Sequence, residues 1–384
     1  MPERQIIQKA KRIVIKIGSR VLVQRSGRPD TRRMRELADQ ISELRANGLE
    51  VILVSSGAVG AGMEALNMKT RPKAIPDLQM AAAVGQSRLM AAYDELFGRR
   101  SIRIGQILLT HDDLKHRARH LNARNTMLNL LRHNIVPIVN ENDVVAIDEI
   151  RFGDNDLLAS LVAIMMDADL MILLTTVDGF RIPAGKDGRT KRASVLRELD
   201  DALLRHATGK GGELSTGGMA SKLKSAAMAV STGIPVVIAN GRARNILPSV
   251  IDGKNTGTLL LPPHMEAGEE IPHRKRWIAF FHRSRGSLVI DDGARTALVD
   301  KGRSLLPIGV REVEGEFEKG SVVNVLDTSR QLVARGLSAY NSRDMRMIQG
   351  HKSADIKTML GACVYDEVIH RDNMVILTPR PPKS

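Results

Sequence analysis

Along the first two thirds of the chain, short runs of β-branched and aliphatic residues alternate with stretches whose apolar positions recur every three to four residues. Ile13-Val14-Ile15-Lys16-Ile17 reads as a buried strand. From Asp30 a helical spacing takes over, with Met34, Leu37, Ala38, Ile41 and Leu44 on one face and Gly48 at its close. The same alternation predicts strands at Val51–Val54, Ile102–Leu109, Ile135–Val139, Leu170–Thr175, Pro235–Ala239 and Thr258–Leu261. Helices are predicted over Leu78–Phe97, around Leu121–Leu131, and over Leu157–Met166 and Met219–Ser231. So regular an alternation implies an α/β unit: an open, mainly parallel sheet with helices on both faces, an α/β/α sandwich. Ligands of such sheets bind beyond the carboxyl ends of the strands, so the loops after the strands are where chemistry is sought.

The texture changes after residue 261. Segment 262–275 holds Pro262, Pro263 and Pro272 among acidic residues, has no periodicity, and reads as a linker between a unit over 1–261 and another over 276–384. In the second unit, Ser287–Ile290, Ser321–Leu326, Gln331–Ala334 and Val375–Leu377 predict short strands, separated by turns such as Asp291-Asp292-Gly293. A small β-rich domain of ordinary size is expected.

Composition narrows the field. With 384 residues, 43% hydrophobic and 26% charged, the chain can bury a sizeable core and is unlike a disordered polypeptide. Its longest near-apolar run, Leu157–Met166, is closed by aspartates at both ends and is too short to span a bilayer. No secretory apolar region precedes the first strand. A soluble cytoplasmic protein with no membrane association is expected. The single cysteine, Cys363, excludes an internal disulfide framework and a Cys-based zinc cluster. A net charge of +14 raises the question of nucleic acid. Yet residues 276–384 carry 17 Lys/Arg against 13 Asp/Glu, and aromatics amount to 3%, which leaves few stacking platforms for bases.

Several familiar signatures fail on inspection. Gly212–Gly217 has the spacing of a phosphate loop, but Gly218 stands where lysine is required. Gly57, Gly60 and Gly62 lack dinucleotide-loop spacing. His370-Arg371-Asp372 leads to Leu377 where a protein-kinase loop needs asparagine. His116 and His120, four apart among arginines, read as a solvated helix face rather than a metal site.

Four loops remain. Lys16 ends the first strand just ahead of Gly18-Ser19; an ammonium in an apolar strand must reach out of the core, and small residues beside it favour an anion. Ser55-Ser56-Gly57-Ala58, running on to Gly62, offers hydroxyls and N–H groups to a carboxylate or phosphate, or else small residues for close packing. Asn140–Asp143 and Gly153–Asp156 gather more polar side chains than helix capping needs, and suit an ammonium group, a metal, or lysines held in place. Thr216–Lys222 runs glycines into a helix with a lysine in its first turns, a placement that opposes the helix dipole unless an anion is bound there. Paired lysines, Gly-rich cradles and a few carboxylates describe phosphoryl transfer, which needs positioning and charge neutralisation more than covalent groups.

These stretches, together with Ala82-Ala-Val-Gly-Gln-Ser-Arg-Leu89, resemble in order and spacing the glutamate 5-kinase family of the amino acid kinase superfamily. Residues 276–380 resemble a PUA domain, through Lys275–Ile278, Asp291–Ala294, Ser304–Pro307 and His370–Asp372. The first resemblance implies the amino acid kinase fold and ATP-dependent, Mg²⁺-assisted phosphorylation of the γ-carboxylate of L-glutamate. That reaction is the first step of proline synthesis, with proline as feedback inhibitor and Gly60–Ala83 as a flexible lid. It implies that Lys16 and Lys222 neutralise the transferring group while Asp154 and Asp156 hold the lysines. Ser56, Gly57, Ala58, Asp143 and Asn155 are then expected to bind glutamate. Lys16, Gly18, Ser19, Thr175, Thr176, Thr216, Gly217, Gly218, Met219, Ala220, Ser221 and Lys222 are expected to line the nucleotide. Thr176 stands where the family often has aspartate, a departure at that one contact. A homo-oligomer and a glutamyl-phosphate reductase partner are implied too. RNA binding by the PUA-like unit is the less favoured alternative.

The chemistry agrees with this resemblance. A carboxylate nucleophile, with an ordinary pKa of about 4.3, needs no general base at neutral pH. Mg²⁺ keeps waters and binds mainly through phosphates, so the aspartates are expected to organise lysines, and no protein ligand is assigned to the metal.

Overall fold

The strand that carries Lys16 lies in the middle of an eight-stranded sheet. The structure is a computed structural model and describes residues 2–23, 30–145, 155–183, 189–197, 218–262, 284–361 and 365–377. After a 3₁₀ turn (Pro2–Lys9), the first unit opens with β1 (Arg12–Ile17), α1 (Ser19–Leu22), α2 (Thr31–Ala46) and β2 (Glu50–Val54). It continues with α3 (Ala58–Ala65), α4 (Ile75–Gly98), β3 (Ile104–Leu109), α5 (His111–Lys115), α6 (Arg117–Arg132) and β4 (Val136–Glu141). Then come α7 (Asn155–Met165), β5 (Leu170–Thr175), β6 (Arg181–Pro183), β7 (Thr190–Arg192) and β8 (Val195–Leu196). Helix α8 (Met219–Val230), β9 (Val236–Asn240), α9 (Ile246–Ile251) and β10 (Thr258–Leu260) complete it.

Strand order is β3-β4-β2-β1-β5-β9-β10-β8. Every pairing is parallel except β9 with β10. The side chains of β1 alternate between faces, as a pleated strand requires. Ile13, Ile15 and Ile17 join Met34, Leu37, Ile41 and Leu44 of α2 in one core cluster. Lys16 therefore points to the opposite face. A buried guanidinium that the hydrophobic pattern did not reveal ties the chain's start to its later loops: Arg4 donates to the carbonyls of Ser194, Lys254, Thr256 and Gly257.

Two expectations are corrected here. The Gly60–Ala83 segment is helical over Ala58–Ala65 and again from Ile75. A Cβ on Gly62 would lie 1.7 Å from the Ala81 carbonyl oxygen, and one on Gly85 would lie 1.8 Å from that of Ala58. These glycines serve backbone-to-backbone packing of α3 on α4, which leaves only residues 66–74 of the expected lid outside the two helices and their contact. His116 is exposed, but His120 is buried at 1% exposure, because it faces inward from α6 rather than standing on a solvated face.

Contact within the chain divides it into Met1–Glu270 and Ile271–Ser384. The second unit holds β11 (Gly286–Ile290), α10 (Asp292–Val299), β12 (Val310–Gly315), β13 (Val322–Leu326) and β14 (Leu332–Leu337). Helices α11 (Ser342–Ile348) and α12 (Ile356–Leu360) and strand β15 (Met374–Ile376) follow. Its sheet runs β12-β11-β13-β14-β15. Asp291-Asp292-Gly293 is not an inter-strand turn: the Asp291 carboxylate accepts the Ala294 N–H at 2.8 Å and caps α10.

Candidate active site

Parallel strands end at one edge of the sheet, and there the predicted polar residues gather into two clusters. The first is ionic. Lys16 Nζ lies 2.6 Å from Asp156 Oδ1, and Lys222 Nζ lies 2.9 Å from Asp156 Oδ2. Asp156, in the first turn of α7, is 1% exposed, and both lysines are buried. Burial alone would raise the Asp156 carboxyl, but the Lys16 and Lys222 ammonium groups beside it outweigh that and hold it below the ordinary carboxylate range. Among the described residues, two cations meet one anion in a water-poor setting. Buried ammonium groups so placed suit an anionic ligand. The expectation that Lys16 must leave the core is thereby corrected: β1 is a central strand, and the ammonium stays buried because Asp156 meets it.

The second cluster is neutral. Asn155, next to Asp156, donates from Nδ2 to the Ser55 carbonyl at 2.6 Å and to Asn140 Oδ1 at 2.8 Å. Asn140, at the end of β4, donates in turn to Gln86 Oε1 at 2.7 Å. The Ser55 hydroxyl pairs with the Tyr93 phenol at 2.9 Å, and burial pushes that phenol up to about 12, against the opposing Ser55 bond, so it keeps its proton. Ser56 Oγ donates to the Ile17 carbonyl at 2.7 Å, which stitches the end of β2 to the end of β1. Gly57 turns the chain into α3 at φ +103°, a left-handed conformation that favours glycine, and Ala58 is buried as the first residue of that helix. Asp143, in the turn after β4, is pushed up to about 6 by burial, with the charge of Arg71 opposing the shift.

Those residues expected around the nucleotide that the structure describes lie along the same edge. Gly18 donates its N–H to the Leu174 carbonyl at 3.0 Å, so that N–H is engaged within the protein. Its smallness also suits the close packing, since a Cβ there would sit 3.1 Å from the Leu174 carbonyl oxygen. Ser19, exposed, begins α1. Thr175 ends β5 with its carbonyl taken by the Gly241 N–H at 2.8 Å, and Thr176 is exposed beyond it. Gly218 is the N-cap of α8, whose first turn holds Met219, Ala220, Ser221 and Lys222. Asp154, Thr216 and Gly217 lie outside the described residues. Among the described residues, no group of three or more His, Cys, Asp or Glu side chains could hold a metal ion, and no helix is long and apolar enough to cross a membrane.

Residue-level reasoning placed Asn140 among the polar turns without naming its partner, and singled out neither Gln86 nor Tyr93 for a role. A signal was present for Asn140, since an amide at the end of a fully buried strand must find a partner. Gln86 carried no such signal, because a half-buried glutamine on a helix is ordinary.

Residues 11–240 match the model of the amino acid kinase family, and residues 286–360 match that of the PUA domain. Among curated relatives, the glutamate 5-kinase of Citrifermentans bemidjiense is 45% identical over 382 residues, covering 97% of this chain and 100% of the relative. That of Geobacter sulfurreducens is 46% identical, covering 97% and 99%. The glutamate 5-kinase of Chromohalobacter salexigens is 44% identical, covering 97% and 98%.

Proposed function

The chain belongs to the amino acid kinase family, and from that premise we propose that it transfers the terminal phosphoryl group of ATP to the γ-carboxylate of L-glutamate. The observation that carries this reading is the Asp156 carboxylate bonded by both Lys16 and Lys222. A γ-carboxylate oxygen forms its bond to the γ-phosphorus as the bond to the β,γ-bridging oxygen breaks, and that electron pair leaves with ADP. No proton is transferred, so no general base is required. Lys16 and Lys222 neutralise the phosphoryl oxygens as charge redistributes, and Asp156 positions both ammonium groups without touching the substrate.

Both Asp156 oxygens are engaged by lysines, which fits a metal that arrives with its phosphates and waters rather than one caged by protein. Bound Mg²⁺ neutralises charge across the phosphates. In this reading Asp154 is a second organiser of the lysines. Ser56, Gly57, Ala58, Asp143 and Asn155 hold glutamate, with the Asp143 carboxylate and the Asn155 amide oxygen suited to its ammonium group. Lys16–Ser19, Thr175, Thr176 and Thr216–Lys222 hold the nucleotide. The proposal extends to proline as feedback inhibitor, to the first step of proline synthesis in the cytoplasm, to a homo-oligomer, and to a reductase that accepts the acyl phosphate. It takes 1–261 as the kinase unit, 262–275 as linker and 276–384 as the PUA-like unit.

Hydroxylamine trapping tests the reaction directly. With ATP, Mg²⁺ and L-glutamate, a glutamyl hydroxamate should form, and proline should suppress it. Hydroxamate from aspartate or N-acetylglutamate but not from glutamate would overturn the substrate assignment.

A further inference from the structure

The orientation of the Asn155 amide is dictated from the sheet backbone. Ser55 donates its N–H to Val139 and pairs its hydroxyl with Tyr93, so its peptide is held by β4 on one side and α4 on the other. Its carbonyl can only accept, which obliges Asn155 to present Nδ2 there. The second Nδ2 hydrogen goes to Asn140, which must then offer Oδ1 inward and Nδ2 outward. Asn140 is 2% exposed, so its outward donor needs a partner within the protein, and Gln86 Oε1 supplies it. At the far end, Gln86 Nε2 is buried with no hydrogen-bond partner among the described residues. Gln86 thus enters this chain as an acceptor only.

Gln86 is held at that place by its neighbour. Gly85 brings α4 into backbone contact with Ala58, the first residue of α3, so Gln86 is in fixed register with the turn after β2.

We propose that Gln86 is a positioning residue for substrate: through Asn140 it keeps both hydrogens of the Asn155 amide committed, so that Oδ1 alone is left to a ligand and the site selects an ammonium donor. The inference rests on the assignment of Asn155 to the amino-acid subsite. Removing the Gln86 acceptor leaves Asn140 with a buried unpaired donor. Asn140 then turns to seek water and releases Asn155 to a single anchor.

The test uses the full-length enzyme and four quantities: KM for glutamate, KM for ATP, kcat and thermal midpoint. Gln86→Leu, with Gln86→Met as the closer match in shape, should raise KM for glutamate about tenfold while KM for ATP and kcat change by less than about threefold. Gln86→Glu keeps an oxygen toward Asn140 and should restore KM for glutamate to within about threefold of wild type. Glutarate, which lacks the ammonium group, should react with kcat/KM at least about a hundredfold below glutamate in the wild type. An unchanged KM for glutamate in both apolar variants would overturn the role. So would parallel rises in the KM for ATP, a Gln86→Glu variant as impaired as Gln86→Leu, or glutarate turned over as well as glutamate. Wild-type enzyme that forms no glutamyl hydroxamate would sink the substrate reading itself, and this inference with it, whereas active wild type with indifferent Gln86 variants would sink only the inference.

Discussion

Asn155 and Asp156 are neighbours at the start of one helix, yet they serve opposite halves of the site. Asp156 sits between two buried ammonium groups. Asn155 sits in a chain of uncharged amides and hydroxyls that ends on a backbone carbonyl. In the proposed reaction the ionic half meets a group whose charge moves, where fixed countercharge does the stabilising. In the same proposal the neutral half meets a molecule that brings its own charges, where the direction of each donor and acceptor decides what is admitted. One helix turn delivers both because consecutive residues on a helix point in different directions.

The contrast breaks most sharply at Lys222. Replacing it with alanine removes one of the two cations and should lower kcat about 10³-fold, with KM for glutamate changed only slightly. Steady-state kinetics with each substrate varied separately would show this split, and a comparable rise in KM for glutamate would mean that the two halves are not separable. Gly85→Ala should act on the neutral half through the fold. A methyl group 1.8 Å from the Ala58 oxygen forces α3 and α4 apart, with an expected loss of about 3 kcal/mol in a denaturant titration. Unchanged stability there would show that the helices can slide.

The pH dependence sharpens the comparison further. Burial pushes Asp143 up to about 6, with Arg71 opposing, so its carboxylate is ionised above that pH and protonated below it. Glutamate kcat/KM should fall about tenfold per unit as pH drops below about 6, and Asp143→Asn should flatten that limb. Asp156, held below the ordinary range by its two lysines, stays ionised through this window and adds no second limb. A limb that persists in Asp143→Asn would place the titration elsewhere. The smallest effect is expected at Tyr93→Phe, which removes one buried partner from Ser55. A loss of about 1 kcal/mol in stability with kcat intact is the expected result.

Much of this molecule could be read from the chain alone. The alternation of strand and helix, the parallel sheet and the placing of Lys16 and Lys222 at its carboxyl edge all follow from periodicity and from where a charged residue interrupts it. Those are local signals, carried within a window of a few turns. The second unit was less legible. Asp291-Asp292-Gly293 has the composition of both a turn and a helix N-terminus, and only the N–H of Ala294 meeting the carboxylate decides between them.

Partnership was left to the tertiary structure. Asp156 meets Lys222 across 66 residues, Asn155 meets Ser55 across 100, and Asn140 meets Gln86 across 54. Gly62, which looks like a cradle glycine in the sequence, and Gly85, inside a predicted helix, prove to be the contact points of two helices. The sequence determined which side chains stand at the edge of the sheet, because that depends on residue type and spacing along one strand or one helix. Which lysine meets which carboxylate, and which way each amide turns, only the folded chain decided, because a hydrogen bond needs two directions to coincide and the second comes from a distant element.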